Sequence, residues 1–141
     1  MPMLSEEEVK EIARAFVSNK EDVLDRVEFV LWIGFLGPRT SYRELRLYEI
    51  EPEFSAFAFH AFKLKIRGST LRRHITAFET ETGEFIEVDH LNEEMWVNFI
   101  TDVKRKTRPR VILDDSFRKR FGLPSILSEL EIFVLDINYQ K

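Results

Sequence analysis

The chain has 141 residues, of which 44% are hydrophobic, 13% are aromatic and 33% are charged, and its formal net charge is −4. This length and apolar content predict one domain, residues 1–141, with a single core. The charged residues are interleaved with Phe, Leu, Ile and Val, a pattern that disordered chains lack. Because the chain has no cysteine, disulfides, thiolate metal sites and thiol nucleophiles are excluded.

The same features predict where the protein resides. The first residues lead directly into an acidic amphipathic stretch, so we expect no signal peptide. The longest apolar run, Phe29–Leu36, is far too short to cross a bilayer, so we expect no membrane association. We therefore predict a soluble, cytoplasmic protein. Its high charge and few Asn and Gln residues are typical of thermophile proteins.

A first helix is predicted over Glu6–Ser18. Ser5 precedes it and Glu8 lies three residues later, a pair that can form a capping box. Five apolar residues recur at helical spacing along one stripe: Val9, Ile12, Ala13, Phe16 and Val17. The next residues, Glu21–Arg26, can form a helical turn. The run over residues 27–36 is apolar almost throughout and predicts a buried strand, although a buried helix fits its period as well.

Four further segments predict strands joined by short reversals. They are Tyr42–Glu51, Phe54–Arg67, Leu71–Glu81 and Glu84–His90. The reversals lie at Pro52, at Gly68-Ser69 and at Thr82-Gly83, where the residue types favour turns. Short reversals between consecutive strands indicate an antiparallel meander.

The segment Phe54–Arg67 changes its apolar face along its length. Phe57 and Phe59 lie at odd positions, whereas Phe62 and the apolar residues after it lie at even positions. A regular strand cannot exchange its buried face, so either both faces are covered in the first half or a bulge near His60–Ala61 turns the strand over. We favour the bulge, which predicts a strongly curved sheet.

A second helix is predicted at about residues 92–106. Asn92 caps it, and Glu93 and Glu94 lie in its first turn, where the helix dipole favours acidic side chains. Its core-facing stripe comprises Trp96, Phe99, Ile100 and Val103. We expect this stripe to pack with the stripe of the first helix against the sheet.

The C-terminal part predicts a short strand at Arg110–Leu113 and a last strand at Leu130–Ile137. Between them, Asp114 or Asp115 can cap a short helix that continues to Phe121. The predicted fold is therefore α+β, a curved antiparallel meander of about five to six strands with the two longer helices packed on one face.

Three histidines are candidate metal ligands: His60, His74 and His90. Pairing through the predicted reversals places His60 and His90 on one face, but a metal site needs three or four ligands. Asp89 is adjacent in sequence but points to the opposite face. We therefore expect ordinary hydrogen-bonded histidines, with no metal and no cofactor.

The sequence gives little support for an enzyme, and we expect no catalytic residues. Asp114 and Asp115 follow an apolar strand, a position where hydrolases and nucleases often place metal ligands. Helix capping explains them more simply, because adjacent Asp side chains on a strand diverge. The five glycines form neither a phosphate-binding loop nor a Gly-x-Ser-x-Gly nucleophile elbow.

One candidate binding face lies on the predicted hairpin. Its residues are Lys63, Lys65, Arg67, Arg72 and His74. In a hairpin that turns at Gly68, Lys63 lies opposite His74. Lys65 then lies opposite Arg72, on the same face. Like charges directly across a pair of strands are destabilising, so a chain that keeps them can use the field to bind a phosphate or an acidic partner.

Two questions about function stay open at this point. The basic face is either exposed or neutralised by Glu87 and Asp89 on the next predicted strand. We expect a non-enzymatic protein-interaction module that forms a homodimer or binds another protein. A nucleic-acid or other anion binder that uses the basic face is the alternative, and an enzyme with an unrecognised pocket is the third possibility. The net charge of −4 disfavours indiscriminate nucleic-acid binding.

Overall fold

The computed structural model describes residues 3–35, 61–123 and 130–141. In these ranges the chain is α+β, as the sequence predicts, and none of the helices could span a bilayer. The helices are α1 (Glu6–Ser18), α2 (Glu21–Leu24), α3 (Gly68–His74), α4 (Glu93–Lys104) and α5 (Asp115–Arg120). The strands are β1 (Val27–Phe35), β2 (Ala61–Arg67), β3 (Ile75–Glu79), β4 (Phe85–Glu87), β5 (Val111–Leu113) and β6 (Leu130–Tyr139).

The six strands form two antiparallel sheets of three strands each, where the sequence predicted one meander. One sheet has the strand order β2-β1-β6 and the other has the order β4-β3-β5. An isolated bridge between Arg110 and Phe133 joins the second sheet to the first. The pairing of β1 with β6 shifts register between Val30 and Leu31. A bulge of this kind bends the strand and increases its twist.

Helix α1 has the predicted bounds and the predicted cap. Ser5 Oγ accepts a hydrogen bond from the Glu8 backbone N–H at 3.1 Å, and Glu8 Oε1 accepts one from the Ser5 backbone N–H at 2.9 Å. The two bonds satisfy backbone donors that have no partner within the helix. The bond from the Ser5 backbone also lowers the pKa of Glu8. Asn19 ends the helix in the left-handed conformation, with φ of 51°.

The predicted turn at Gly68 and Ser69 is wrong, because both residues belong to helix α3. As a result β2 pairs with β1, and the predicted strand after the turn begins only at Ile75. Burial explains the difference, since Leu71 is fully buried as part of the helix. Gly68 lies against α2, where a Cβ atom would be 2.9 Å from the Leu24 carbonyl oxygen. Glycine is therefore needed at position 68 because the helix packs closely against α2, and not because the chain reverses there.

The reversal at Thr82-Gly83 is confirmed, and it joins β3 to β4. Gly83 has φ of 85°, a conformation that glycine adopts readily. The register pairs Glu79 with Phe85. Strand β4 is shorter than the predicted segment Glu84–His90 and ends before His90. The predicted pairing of His90 in the sheet is therefore wrong.

Helices α1 and α4 cover one face of the strands, and aromatic rings fill the core as predicted. The rings of Phe16 and Trp96 stack with centroids 4.3 Å apart. The Phe99 ring lies 6.4 Å from that of Phe29 and 4.7 Å from that of Phe78. All five residues are buried, and aromatic burial of this extent is a major source of stability.

A smaller apolar cluster lies on the other face of the first sheet. Trp32 and Phe133 face each other there with ring centroids 5.7 Å apart. The indole of Trp32 lies directly over Gly34, so a Cβ atom at Gly34 would overlap the ring. Phe29 and Leu31 point to the opposite, helix-covered face and are fully buried. Together with Val27 and Ile33, these residues of β1 are thus buried within the single chain.

Two further caps are confirmed. The side chains of Asn92 and Asp114 accept hydrogen bonds from the backbone N–H groups of Met95 and Phe117, at 3.1 and 2.9 Å, and so begin α4 and α5. Several sequence predictions lie outside the described residues: the strand Tyr42–Glu51, the turn at Pro52, and residues 54–60, which include His60 at the predicted bulge near His60–Ala61.

Candidate functional site

The structure separates the five predicted binding residues into two groups. Lys63, Lys65 and Arg67 stay together on one face of β2, and all three are exposed. Arg72 and His74 lie on α3. The predicted opposition of Lys63 to His74 and of Lys65 to Arg72 is therefore wrong, because a helix replaces the second strand of the hairpin.

Arg72 and His74 make contacts inside the protein. Arg72 Nε donates a hydrogen bond to the Phe16 carbonyl oxygen at 2.7 Å. The buried His74 places Nδ1 2.9 Å from Asp114 Oδ1 and 3.0 Å from Ser116 Oγ. In a nucleophilic triad the serine and the carboxylate meet opposite ring nitrogens, whereas here both meet Nδ1. These contacts hold α3 against α1 and against the start of α5.

The structure also bears on two other expectations: neutralisation of the lysines by Glu87 and Asp89, and the role of the histidines. Glu87 belongs to the second sheet, so strand pairing does not bring Glu87 and Asp89 beside the lysines of β2. His90 stacks on Trp96 with ring centroids 5.8 Å apart, and burial lowers its pKa. Among the described residues no group of three or more acidic or histidine side chains could hold a metal ion. His60 lies outside them.

A polar cleft separates the C-terminal half of α4 from the hairpin of β3 and β4. Two adjoining cavities of about 530 and 450 Å³ share three residues, Thr80, Glu81 and Asp102. Further polar groups line one cavity or the other: Thr82, Asn98, Thr101, Arg105, Lys106 and Thr107. Volumes of this size and convergent polar groups are typical of sites that bind small ligands or single side chains.

Asp102 is held in this cleft by the helix that carries it. It lies in the last turn of α4, next to Val103 and three residues after Phe99, both of which are fully buried in the core. The helical period therefore turns Asp102 toward the hairpin, where only 8% of the residue is exposed. Its carbonyl oxygen accepts hydrogen bonds from Thr107 N at 3.1 Å and Thr107 Oγ1 at 2.9 Å, which fix the helix end.

The Asp102 carboxyl holds its proton to an unusually high pH. Burial and then the neighbouring carboxyl of Glu81 raise its pKa from 3.8 to about 6, and Arg105 offsets only part of the effect. The negative end of the helix dipole disfavours an anion at the same place. The group therefore changes charge close to neutral pH.

The charged groups around Asp102 are already paired with one another. The ion pairs are Glu81–Arg105 at 3.5 Å, Glu79–Arg110 at 2.6 Å and Lys106–Asp136. No cation in the described part of the chain lies within ion-pair distance of the Asp102 carboxyl. The cleft therefore contains one buried carboxyl whose charge these neighbours leave unbalanced.

The sequence does contain a signal for Asp102, although the prediction of this helix considered only its first turn and its apolar positions. An acidic side chain in the last turn of a helix opposes the dipole, and Asp102 is also three residues from Phe99, in the buried stripe. Positions that break a local rule in this way are often functional. The effect of Glu81 on the pKa of Asp102 could not be predicted from the sequence, because it depends on how the hairpin folds.

Comparisons with known proteins do not assign the chain to a group. It matches no known protein family, no curated protein and no solved structure. The functional conclusion therefore depends on the residues of the cleft and of the sheet surface.

Proposed function

We propose that the protein is a non-enzymatic binding module whose cleft receives a cationic group, an ammonium or a guanidinium, from a partner protein. The observation that carries this proposal is the buried, unbalanced carboxyl of Asp102. A cation beside it would favour the ionised form that burial and Glu81 disfavour. Binding would therefore displace the proton that Asp102 holds near neutral pH.

The charges of the cleft favour a cation over other ligands. An anionic ligand would add negative charge beside Glu81 and Asp102. A neutral ligand would leave the ionised form of Asp102 without a counter-charge. An ammonium or guanidinium carries several N–H donors, so it can bond both carboxyls with charge-assisted hydrogen bonds. Lone pairs on the hydroxyls of Thr80 and Thr107 supply further acceptors.

The rim of the cleft allows a side chain to enter from solvent. Glu81 and Arg105 form the rim, and each side chain is 64% exposed. An exposed ion pair of this kind contributes only about 0–1 kcal/mol, so an incoming cation can replace Arg105 as the partner of Glu81 at little cost. The proposal thus keeps the protein-interaction role expected from the sequence and gives it a site.

A titration followed by amide NMR tests the proposal. The probes are n-butylammonium chloride, butan-1-ol as its uncharged counterpart, and a short Gly/Ser peptide with one central lysine. We expect the ammonium probe to shift the amide signals of Thr80 and Thr107 in a saturable manner, and butan-1-ol to leave them unchanged. Tighter binding of the peptide supports a protein partner, whereas equal affinity assigns the site to free amines.

Two variants with the same change of charge sharpen the test. Asp102→Asn removes the buried carboxyl, and Glu84→Gln removes an exposed carboxylate of the same hairpin that does not line the cleft. We expect Asp102→Asn to weaken the ammonium probe about tenfold, equivalent to about 1.4 kcal/mol, and Glu84→Gln to leave its affinity unchanged. Equal affinities of the two variants, or equal binding of butan-1-ol, would contradict the proposal.

A cytoplasmic location and a homodimer, both expected from the sequence, stay predictions. Equilibrium sedimentation at micromolar concentration tests the homodimer, and a single species of 16.8 kDa would exclude it under those conditions.

A further inference from the structure

Three cations follow one face of β2 in a straight line. Lys63, Lys65 and Arg67 alternate with Leu64 and Ile66, which pack against the core. A strand advances 3.2–3.4 Å per residue, so successive cations lie about 6.6 Å apart. All three are exposed, and none forms an ion pair or a side-chain hydrogen bond within the described residues. Together, Lys63, Lys65 and Arg67 form a cationic row.

The neighbouring strands that the structure describes, β1 and β6, leave most of this positive charge uncompensated. On β1 the cationic row lies opposite Trp32, Val30 and Glu28. Of the three cations, only Arg67 therefore has a carboxylate directly across from it on β1. On the far side of β1, Val30 pairs with Asp136, which is already bonded to Lys106. In the described part of the chain the field of Lys63 and Lys65 is thus available to a partner, although the whole chain carries a net charge of −4.

The surroundings of the cationic row favour an acidic peptide over a nucleic acid. Binding of single-stranded nucleic acid uses exposed aromatic rings on which bases stack. The aromatic residues described on this face, Trp32 and Phe133, are only 1% and 3% exposed. An extended peptide with an acidic residue at every second position presents carboxylates with the same repeat of about 6.6 Å.

We infer that the cationic row is a docking surface for an extended acidic segment of a partner protein, with carboxylates at alternate positions. Each cation then faces one carboxylate. Exposed pairs contribute little individually, so binding depends on all three acting together and weakens as salt screens them. The cationic row shares no residue with the cleft, so this inference does not depend on the proposed cationic ligand.

Fluorescence anisotropy with defined probes tests the inference. The main probe is a fluorescein-labelled peptide of four Glu-Ser repeats. A peptide of the same composition with contiguous glutamates tests the spacing, and a thymidine oligonucleotide of similar charge tests the nucleic-acid alternative. We expect the alternating peptide to bind most tightly at about 20 mM NaCl and to lose about tenfold or more of its affinity at about 200 mM.

Two double variants with the same change of net charge distinguish the effect of the cationic row on affinity from the effect of net charge alone. Lys63→Gln with Lys65→Gln should reduce the affinity for the alternating peptide about tenfold or more. Lys10→Gln with Lys20→Gln changes the net charge equally at two exposed positions elsewhere and should leave the affinity within about twofold. Thermal melts of both variants confirm that they are folded. Equal losses in the two variants, tighter binding of the oligonucleotide, or no binding of the peptide at low salt would each overturn the inference.

Discussion

Replacing Asp102 with Asn should change how the stability of the fold depends on pH. The pKa of this carboxyl is about 6 in the folded protein, against an ordinary value of 3.8. Between these two values the folded state holds a proton that the unfolded chain has lost. The free energy of unfolding therefore falls as the pH rises through this window, and the whole loss is present above about pH 6.

The size of the effect follows from the two pKa values. A rise from 3.8 to about 6 corresponds to about 3 kcal/mol, at about 1.36 kcal/mol per pH unit. Asp102 lines open cavities and its neighbour Glu81 is largely exposed, so solvent screening reduces this figure. We expect about 1–3 kcal/mol. Asn has a similar size and no charge, so the variant should gain this stability over the natural chain between about pH 4 and about pH 7.

Urea unfolding followed by tryptophan fluorescence measures the effect. The natural chain, Asp102→Asn and Glu84→Gln are compared at intervals between about pH 4 and about pH 8. Other titrating groups, such as Glu131, whose pKa burial raises, are common to all three proteins and cancel in the differences. If the profiles of Asp102→Asn and the natural chain run parallel over the whole range, the reasoning about the buried carboxyl is refuted.

Three further substitutions test the fold. Phe99→Ala should cost about 3–5 kcal/mol in urea melts because the ring is fully buried, and a loss under about 1 kcal/mol would show that this helix face is not core. Gly34→Ala should displace the indole of Trp32, alter its fluorescence and cost about 1–3 kcal/mol, so an unchanged spectrum and melt would refute the close packing. Ser5→Ala should cost about 0.5–2 kcal/mol through loss of the capping box, a result that equal melting of the two proteins would contradict.

The two longer helices could be predicted from the sequence because their signals are local. Ser5 and Glu8 lie three residues apart, and the apolar stripes that include Phe16 and Phe99 repeat within a few turns. Helix α3 lacked such a signal, since seven residues are too few for a clear period and a helix of that length depends on tertiary contacts. Its Gly-Ser start therefore resembled a turn between strands.

The pairing of distant strands could not be predicted in the same way. Strand β1 lies between β2 and β6, and Val27 pairs with Tyr139 at the other end of the chain. Turn chemistry predicts only neighbours in sequence, so it predicted the hairpin of β3 and β4 and missed the division into two sheets. The predicted pairing of Lys63 with His74 and of Lys65 with Arg72 was wrong for this reason, although Lys63 and Lys65 do share one face of a strand.

The most direct test of the proposed cleft function is the pKa of the Asp102 carboxyl, measured by carbon-13 NMR with and without saturating n-butylammonium. Sodium chloride at the same ionic strength is the control. We predict a pKa of about 6 in the free protein, in agreement with its buried position beside Glu81. The bound ammonium should lower this pKa and release the proton, because binding and ionisation favour each other. A pKa near 3.8 in the free protein, or one that the ammonium leaves unchanged, would contradict the proposed function.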